Sequence, residues 1–299
     1  METPSIGYLL APVLLWIAAG AALAVSLRRP AATRLTHRLG AVFVGLWALL
    51  ATTALAWVLL NGGWSAIAGL WAAPPEVFTP DALGVWAIGA LGALTILAVA
   101  FALNQSVERS FLRIFRSEPI DWPEPLRGVA GSTRLYEVDL ARADAFAFTL
   151  VTRTGGRLHR EEVVVISRRL RGALLPAEEV AVLAHELGHV RELDGRYLTY
   201  LRTFSRLMRW DPVLGYLASS LSRREELRAD SDAIELTRRP LALARAIYKS
   251  MEIAPVPGAR GTVGFLGGGG RRGRSLALER IRRLLSLSES GEYPEERSG

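Results

Sequence analysis

Three charge-free stretches set the first limit on what this chain can fold into. Residues 8–27, 39–60 and 82–103 run for 20, 22 and 22 residues without Asp, Glu, Lys or Arg. At about 1.5 Å of rise per residue, a helix over each stretch crosses the roughly 30 Å hydrocarbon layer of a bilayer. A helix buried in a soluble core keeps a polar stripe, whereas these stretches are apolar or small-residue all round. Three transmembrane helices are therefore expected. A cleaved signal peptide fits the first stretch poorly, because only Glu2 precedes it and the basic residues come after it.

The arginines orient the spans. Arg28, Arg29, Arg34 and Arg38 lie between the first and second, Arg109, Arg113 and Arg116 follow the third, and residues 61–81 contain no Lys or Arg. Positive charge marks the cytoplasmic side, so the N-terminus is expected outside a multi-pass plasma-membrane protein, with everything after about Leu103 in the cytoplasm. The chain has no cysteine, so disulfides and thiolate metal ligands are excluded. The ten-residue "WSAIAGLWAA" in the outer loop is too short to span and suits the interface through Trp64 and Trp71. A net charge of +7 raises nucleic acid as a partner, but the basic residues are dispersed in pairs and no recognition module appears. The lipid bilayer is the expected partner of this charge.

These patterns divide the chain into a membrane domain (1–116), a proline-punctuated linker (117–128) that cannot remain helical, and a cytoplasmic domain (129–299) with a glycine-rich loop at 255–274. Within the last domain, 133–139, 145–152 and 162–167 are rich in β-branched and aromatic residues, which predicts a small antiparallel sheet. Helices are predicted over 175–193, 196–208, 213–221, 223–237, 241–252 and 275–287. The glycine run lacks the Gly-Lys-Ser/Thr ending of a phosphate-binding loop and reads as a covering loop. The last helix docks on the domain, with the membrane surface as an alternative.

One motif carries chemistry. "HELGH", residues 185–189, sets His185 and His189 one turn apart on a helix, so two imidazoles can reach one point. Glu186, rotated about 100° from His185, stands beside such a point without binding there and suits a general base. A third ligand comes from "EELRAD", residues 225–230: Glu226, 37 positions after His189, completes a two-His, one-Glu set with an open position, the arrangement of a catalytic zinc. Asp230, four residues on, is placed to accept the far N–H of one histidine. Each residue taken singly reads as an ordinary solvated charge; jointly they read as a site for one Zn2+.

The stretch "VVVISRRLRGALLPAEEVAVLAHELGHVRELD", followed by "EELRAD", resembles the HtpX-type and CAAX-protease-type membrane zinc metalloproteases, whose pattern is His-Glu-x-x-His with a later Glu-x-x-Ala-Asp. "DAFAF" at 144–148 is similar to that family's Asn-Ala-Phe-Ala strand, and "SLALERIRRL" to its His-Pro-x-x-x-x-Arg-Ile segment. The resemblance implies an α+β, zincin-like fold, zinc on His185, His189 and Glu226, and Glu186 as general base. Two positions depart from it: Asp144 stands for the family's Asn, and Arg274 with Ser275 for His-Pro. With no histidine after His189, the candidate electrophiles are Tyr197, Tyr200, Arg274 and Arg280. "RWDPVLGYLASSLSRREELRADSDA" also resembles the β-lactam-sensing receptor metalloproteases, though the outer loop is too short to be a sensor.

The expected function is hydrolysis of membrane or membrane-proximal proteins at the cytoplasmic face, as in quality control. A regulatory protease with one substrate and a non-catalytic, zinc-stabilised membrane scaffold are the alternatives.

Overall fold

The computed structural model describes residues 110–140, 143–154, 157–191, 212–253 and 271–290, with shorter pieces before residue 110. The chain divides into two compact units, 1–103 with 197–218, and 104–196 with 219–299. In the first unit the longest described pieces before residue 110 are helical, at 16–22, 45–52 and 90–95. Among the described residues no helix is long and apolar enough to cross a membrane. The expected spans at 8–27, 39–60 and 82–103 fall largely outside the described residues, and the loop at 61–81, the helix at 196–208 and most of 255–274 fall wholly outside them.

The second unit is a four-stranded sheet with helices. Its elements are β1 (Glu118–Ile120), α1 (Glu124–Ala130), β2 (Arg134–Val138), β3 (Ala145–Thr154), β4 (Arg157–Ser167), α2 (Arg168–Arg171), α3 (Pro176–Arg191), α4 (Pro212–Thr237, which begins in the first unit), α5 (Pro240–Glu252) and α6 (Arg271–Glu289). The strand order is β1-β2-β4-β3. β3 and β4 form an antiparallel hairpin from Ala145↔Ile166 to Thr154↔Arg157, and β1 is antiparallel to β2.

The sheet is mixed, which corrects the expected antiparallel one: β2 and β4 run parallel, with Arg134 opposite Val163 and Val138 opposite Ser167. The cause lies in β4. Val163, Val164, Val165 and Ile166 are all fully buried. Such a run has no solvent face and takes a central place, so the returning arm of the hairpin inserts between β3 and β2.

The pleat sends alternate residues to two cores. Leu135, Ala145, Val164 and Ile166 pack with Val182, Leu183 and Ile247, whereas Val138, Leu150, Val163 and Val165 pack with Phe111, Phe115, Phe146 and Phe148. The Phe111 and Phe146 rings meet edge to face at 5.1 Å.

Three other expectations shift. The 117–128 segment holds β1 and the first turns of α1, because Pro123 precedes that helix and Pro125 falls within its first turn, where a missing N–H removes no intrahelical bond. The helices expected at 213–221 and 223–237 are one, α4, since Ser222 offers no steric reason to stop. α6 begins at Arg271, inside the stretch read as loop.

Candidate metal centre

The site is built on α3 and α4, within the second unit. At the start of α3, Glu178 Oε2 accepts from the Leu175 N–H at 2.9 Å, as an acidic side chain at the third helical position does, and from Lys249 Nζ at 2.6 Å. The chain's only lysine thus fastens this end of α3 to α5. Every residue from Ala181 to Leu187 is buried, so this part of the helix is enclosed on all faces and holds His185 and Glu186 in the interior.

Gly188 lets α4 come close. A Cβ there would lie 3.3 Å from the Ala229 Cα and from the Asp232 Cβ and Oδ2. Arg228 ties the same crossing, donating to Glu225 Oε2 at 2.9 Å, to Asp232 Oδ2 at 2.8 Å and to the Gly188 carbonyl at 3.3 Å. Glu226 and Asp230 lie one residue beyond Glu225 and Ala229 on this helix, and both are buried.

His185, His189 and Glu226 could hold a metal ion: each offers one donor atom, and the three lie within 4.8 Å of one another. The two Nε2 atoms are 3.2 Å apart, and Glu226 oxygens stand 3.4 Å from that of His185 and 3.9 Å from that of His189. Asp230 Oδ1 is 2.9 Å from His185 Nδ1, which directs Nε2 toward the other donors. Glu186 Oε1 is buried and has no hydrogen-bond partner among the described residues. Two nitrogens, one carboxylate and a second buried carboxyl with one oxygen lacking a hydrogen-bond partner among the described residues are what a divalent ion of zinc's borderline character fits.

Burial and close charged neighbours shift the ionisation of these groups in opposite directions. Burial pushes the Glu186 carboxyl up to about 8, with Glu226 and Asp144 adding to the rise and His185 opposing it. Burial disfavours charge on His185, as does Arg280, but the hydrogen bonds to Asp230 and Glu226 prevail and raise the ring to about 9. Burial also works against charge on Glu226, yet Arg280 and His185 hold it down at about 2. Asp230 is likewise held well below the usual carboxylate range by Arg280 and His185, against its burial.

The sequence pattern thus brings together His185, Glu186, His189, Glu226 and Asp230. Of the candidate electrophiles, Tyr197 and Tyr200 lie outside the described residues, and Arg274 is exposed on α6. Arg280 is fully buried, and its guanidinium is taken up by Asp230 and Glu226, at 2.7 to 2.9 Å. Its role as a structural partner of both carboxylates escaped the sequence reading, although a signal was there. Arg280 shares the stripe of Ala277, Ile281 and Leu284, a position where an arginine must find a buried partner. Asp144 is buried before β3, its N–H donating to Ser167 Oγ at 2.8 Å.

Comparison with known proteins points the same way. Residues 128–211 match the model of Peptidase family M48, a stretch that includes His185, Glu186 and His189 and ends before Glu226. The chain is 28% identical over 219 residues to a "Protease HtpX homolog" of Acidiphilium cryptum, covering 58% of this chain and 74% of the relative. It is 27% identical over 166 residues to a "Protease HtpX homolog" of Methanothermobacter thermautotrophicus, covering 48% of this chain and 58% of the relative. No solved structure matches. The matches and the donor set together indicate a metallopeptidase, similar over residues 128–211 to Peptidase family M48 and along more of its length to HtpX homologues.

Proposed function

We propose that this metallopeptidase is a zinc-dependent endopeptidase held in the plasma membrane by three spans, its N-terminus outside and its site at the cytoplasmic face. Its substrates are membrane or membrane-proximal proteins, in quality control. The observation that carries the zinc reading is the cluster of His185, His189 and Glu226 donors within 4.8 Å, beside a buried Glu186 oxygen with no hydrogen-bond partner. The membrane reading rests on the three charge-free stretches and the placing of the arginines around them.

His185, His189 and Glu226 would hold the ion, and a zinc bound there supplies a Lewis acid that polarises the scissile carbonyl and activates water. Glu186 takes the proton of the attacking water and then delivers it to the leaving amine. Its buried carboxyl, next in sequence to His185 and with an oxygen that has no hydrogen-bond partner among the described residues, is the group placed to accept and return that proton. Asp230 keeps the His185 ring in one tautomer through Nδ1. β3 is the terminal strand of the described sheet and starts beside Asp144, whose charge is felt at Glu186. An extended peptide adding to that strand would present its backbone to the site with little demand on sequence.

The full-length protein, purified in detergent, tests this through its zinc content and its hydrolysis of a membrane-protein substrate, beside Glu186→Gln. The expected result is one zinc per chain in both, with turnover lost in the variant by about a hundredfold or more. A zinc-free parent, or a variant that still turns over, sinks the proposal. Comparing membrane proteomes of cells carrying either form then separates broad proteolysis from the cutting of one regulator.

A further inference from the structure

We propose that Arg280 is the positioning residue of the metal centre: from α6 it fixes Glu226 and Asp230 in the arrangement that lets Glu226, His185 and His189 share one ion. The inference rests on the zinc reading above and extends it to a helix that lies outside the stretch matched by the family model.

The guanidinium is a planar fork, and it is used as one. Its Nε and Nη2 donate to Asp230 Oδ2 and Oδ1, at 2.9 and 2.7 Å, so both oxygens of that carboxylate are held. Its Nη1 lies 2.9 Å from Glu226 Oε2. The Asp230 oxygen that receives Nη2 also stands 2.9 Å from His185 Nδ1. One side chain therefore fixes a candidate ligand directly and a second through the carboxylate that aims its ring. Bidentate contacts of this kind add geometric definition as well as attraction.

Arg280 has no room to act otherwise. It is fully buried, and α6 is pinned to α4 around it. Arg223 forms an ion pair with Glu279. Arg283 donates to the Leu227 carbonyl at 2.8 Å and to Ser231 Oγ at 2.9 Å. A guanidinium delivered by a helix fastened beside it on both sides holds its carboxylates in one place.

A plainer role is charge neutralisation alone, and the two predict opposite signs. If Arg280 only contributes positive charge, removing it relieves repulsion toward a divalent ion and tightens binding. A positioning role predicts weaker binding, and it predicts that lysine, a point charge without a fork, does not rescue.

The test uses full-length Arg280→Lys and Arg280→Gln beside the parent. Zinc affinity is measured by competition with a chelator, and the visible spectrum of the Co2+-loaded forms reports the geometry of the donors. Both variants are expected to bind zinc at least about tenfold more weakly, the usual effect of losing a group that orients metal ligands, with an altered cobalt spectrum. A smaller loss in either variant, tighter binding, an unchanged cobalt spectrum, or failure of both to fold even with zinc overturns the proposal, the last by making Arg280 purely structural. A parent that binds no zinc sinks the metal reading itself, whereas a parent that binds with unaffected variants sinks only the role of Arg280.

Discussion

Replacing Gly188 by alanine sets helix propensity against packing, and the magnitudes decide which wins. In the interior of a helix, alanine is favoured over glycine by about 1 kcal/mol. The new Cβ would sit 3.3 Å from the Ala229 Cα and from the Asp232 Cβ and Oδ2, a few tenths of an ångström inside the usual carbon–carbon separation of about 3.5–4.0 Å. Ala229 Cα is backbone, and Asp232 is held by Arg228 at 2.8 Å, so neither steps aside and α4 must move as a body. Overpacking of this sort costs about 1–3 kcal/mol. The net change in folding stability is then a loss of about 0–2 kcal/mol, and the fold survives. The larger effect falls on the metal. Glu226 lies one turn before Ala229 on α4, and metal sites accept displacements of only about 0.2 Å. Zinc affinity, measured by chelator competition, is expected to drop by about tenfold or more, while the urea midpoint falls by no more than a loss of about 2 kcal/mol requires. Zinc binding as tight as in the parent would refute the argument that this close approach sets the site.

Three further outcomes follow from the same geometry. Lys249→Met removes the cation from buried Glu178 and is expected to lower stability by about 1–3 kcal/mol in urea unfolding, most of it recovered when Glu178→Gln is added; an unaffected single variant would contradict the reading. In metal-free protein, Glu186 and His185 both titrate above their ordinary values, at about 8 and about 9, so both keep protons that the unfolded chain gives up. Stability should fall as pH rises from about 4.5 to about 9, by at most about 1.4 kcal/mol per unit for each group. Glu186→Gln should flatten the lower part of that slope, and urea midpoints that rise between pH 5.5 and 8 would overturn the assignment. Asp230→Asn, which weakens the hold on His185 Nδ1 and Arg280, is expected to reduce zinc affinity by about tenfold to a hundredfold at nearly unchanged secondary structure.

The site was more legible in the sequence than the sheet that supports it. His185 with His189 and Glu226 with Asp230 obey the single spacing of the helix, where i and i+4 share a face, and Glu186 is carried along beside His185, so two short motifs sufficed to bring five side chains together. Strand direction has no such local signature. The run at 163–166 announced a strand buried on both faces, but that β2 would lie along it in parallel depends on where the β3–β4 hairpin inserts, which is a matter of packing. The proline-rich 117–128 misled for a related reason: proline ends a helix from within but is welcome in its first turn, and only the position of α1 tells which applies. Gly188 was visible inside the motif, but its use, the approach of Ala229, belongs to a helix about forty residues later.

The burial of the cluster says what it is for. His185, Glu186, Glu226, Asp230 and Arg280 are each at most 3% exposed, and His189, at 22%, is the one of the six with appreciable contact with solvent. Gathering three carboxyl groups, an imidazole and a guanidinium in an interior rarely adds stability over an apolar core of the same volume, because desolvation consumes the attraction between them. A chain selected for stability alone would place leucines there, as it does at Leu183 and Leu187 on the same helix. What burial does supply is a low effective dielectric around Glu186 and fixed directions for the ring nitrogens, both of which the proposed proton transfer and metal binding would use. Among the described residues of the cluster His189 is the one that meets solvent, so on the proposed reading water and peptide reach Glu186 from its side, opposite Asp230 and Arg280.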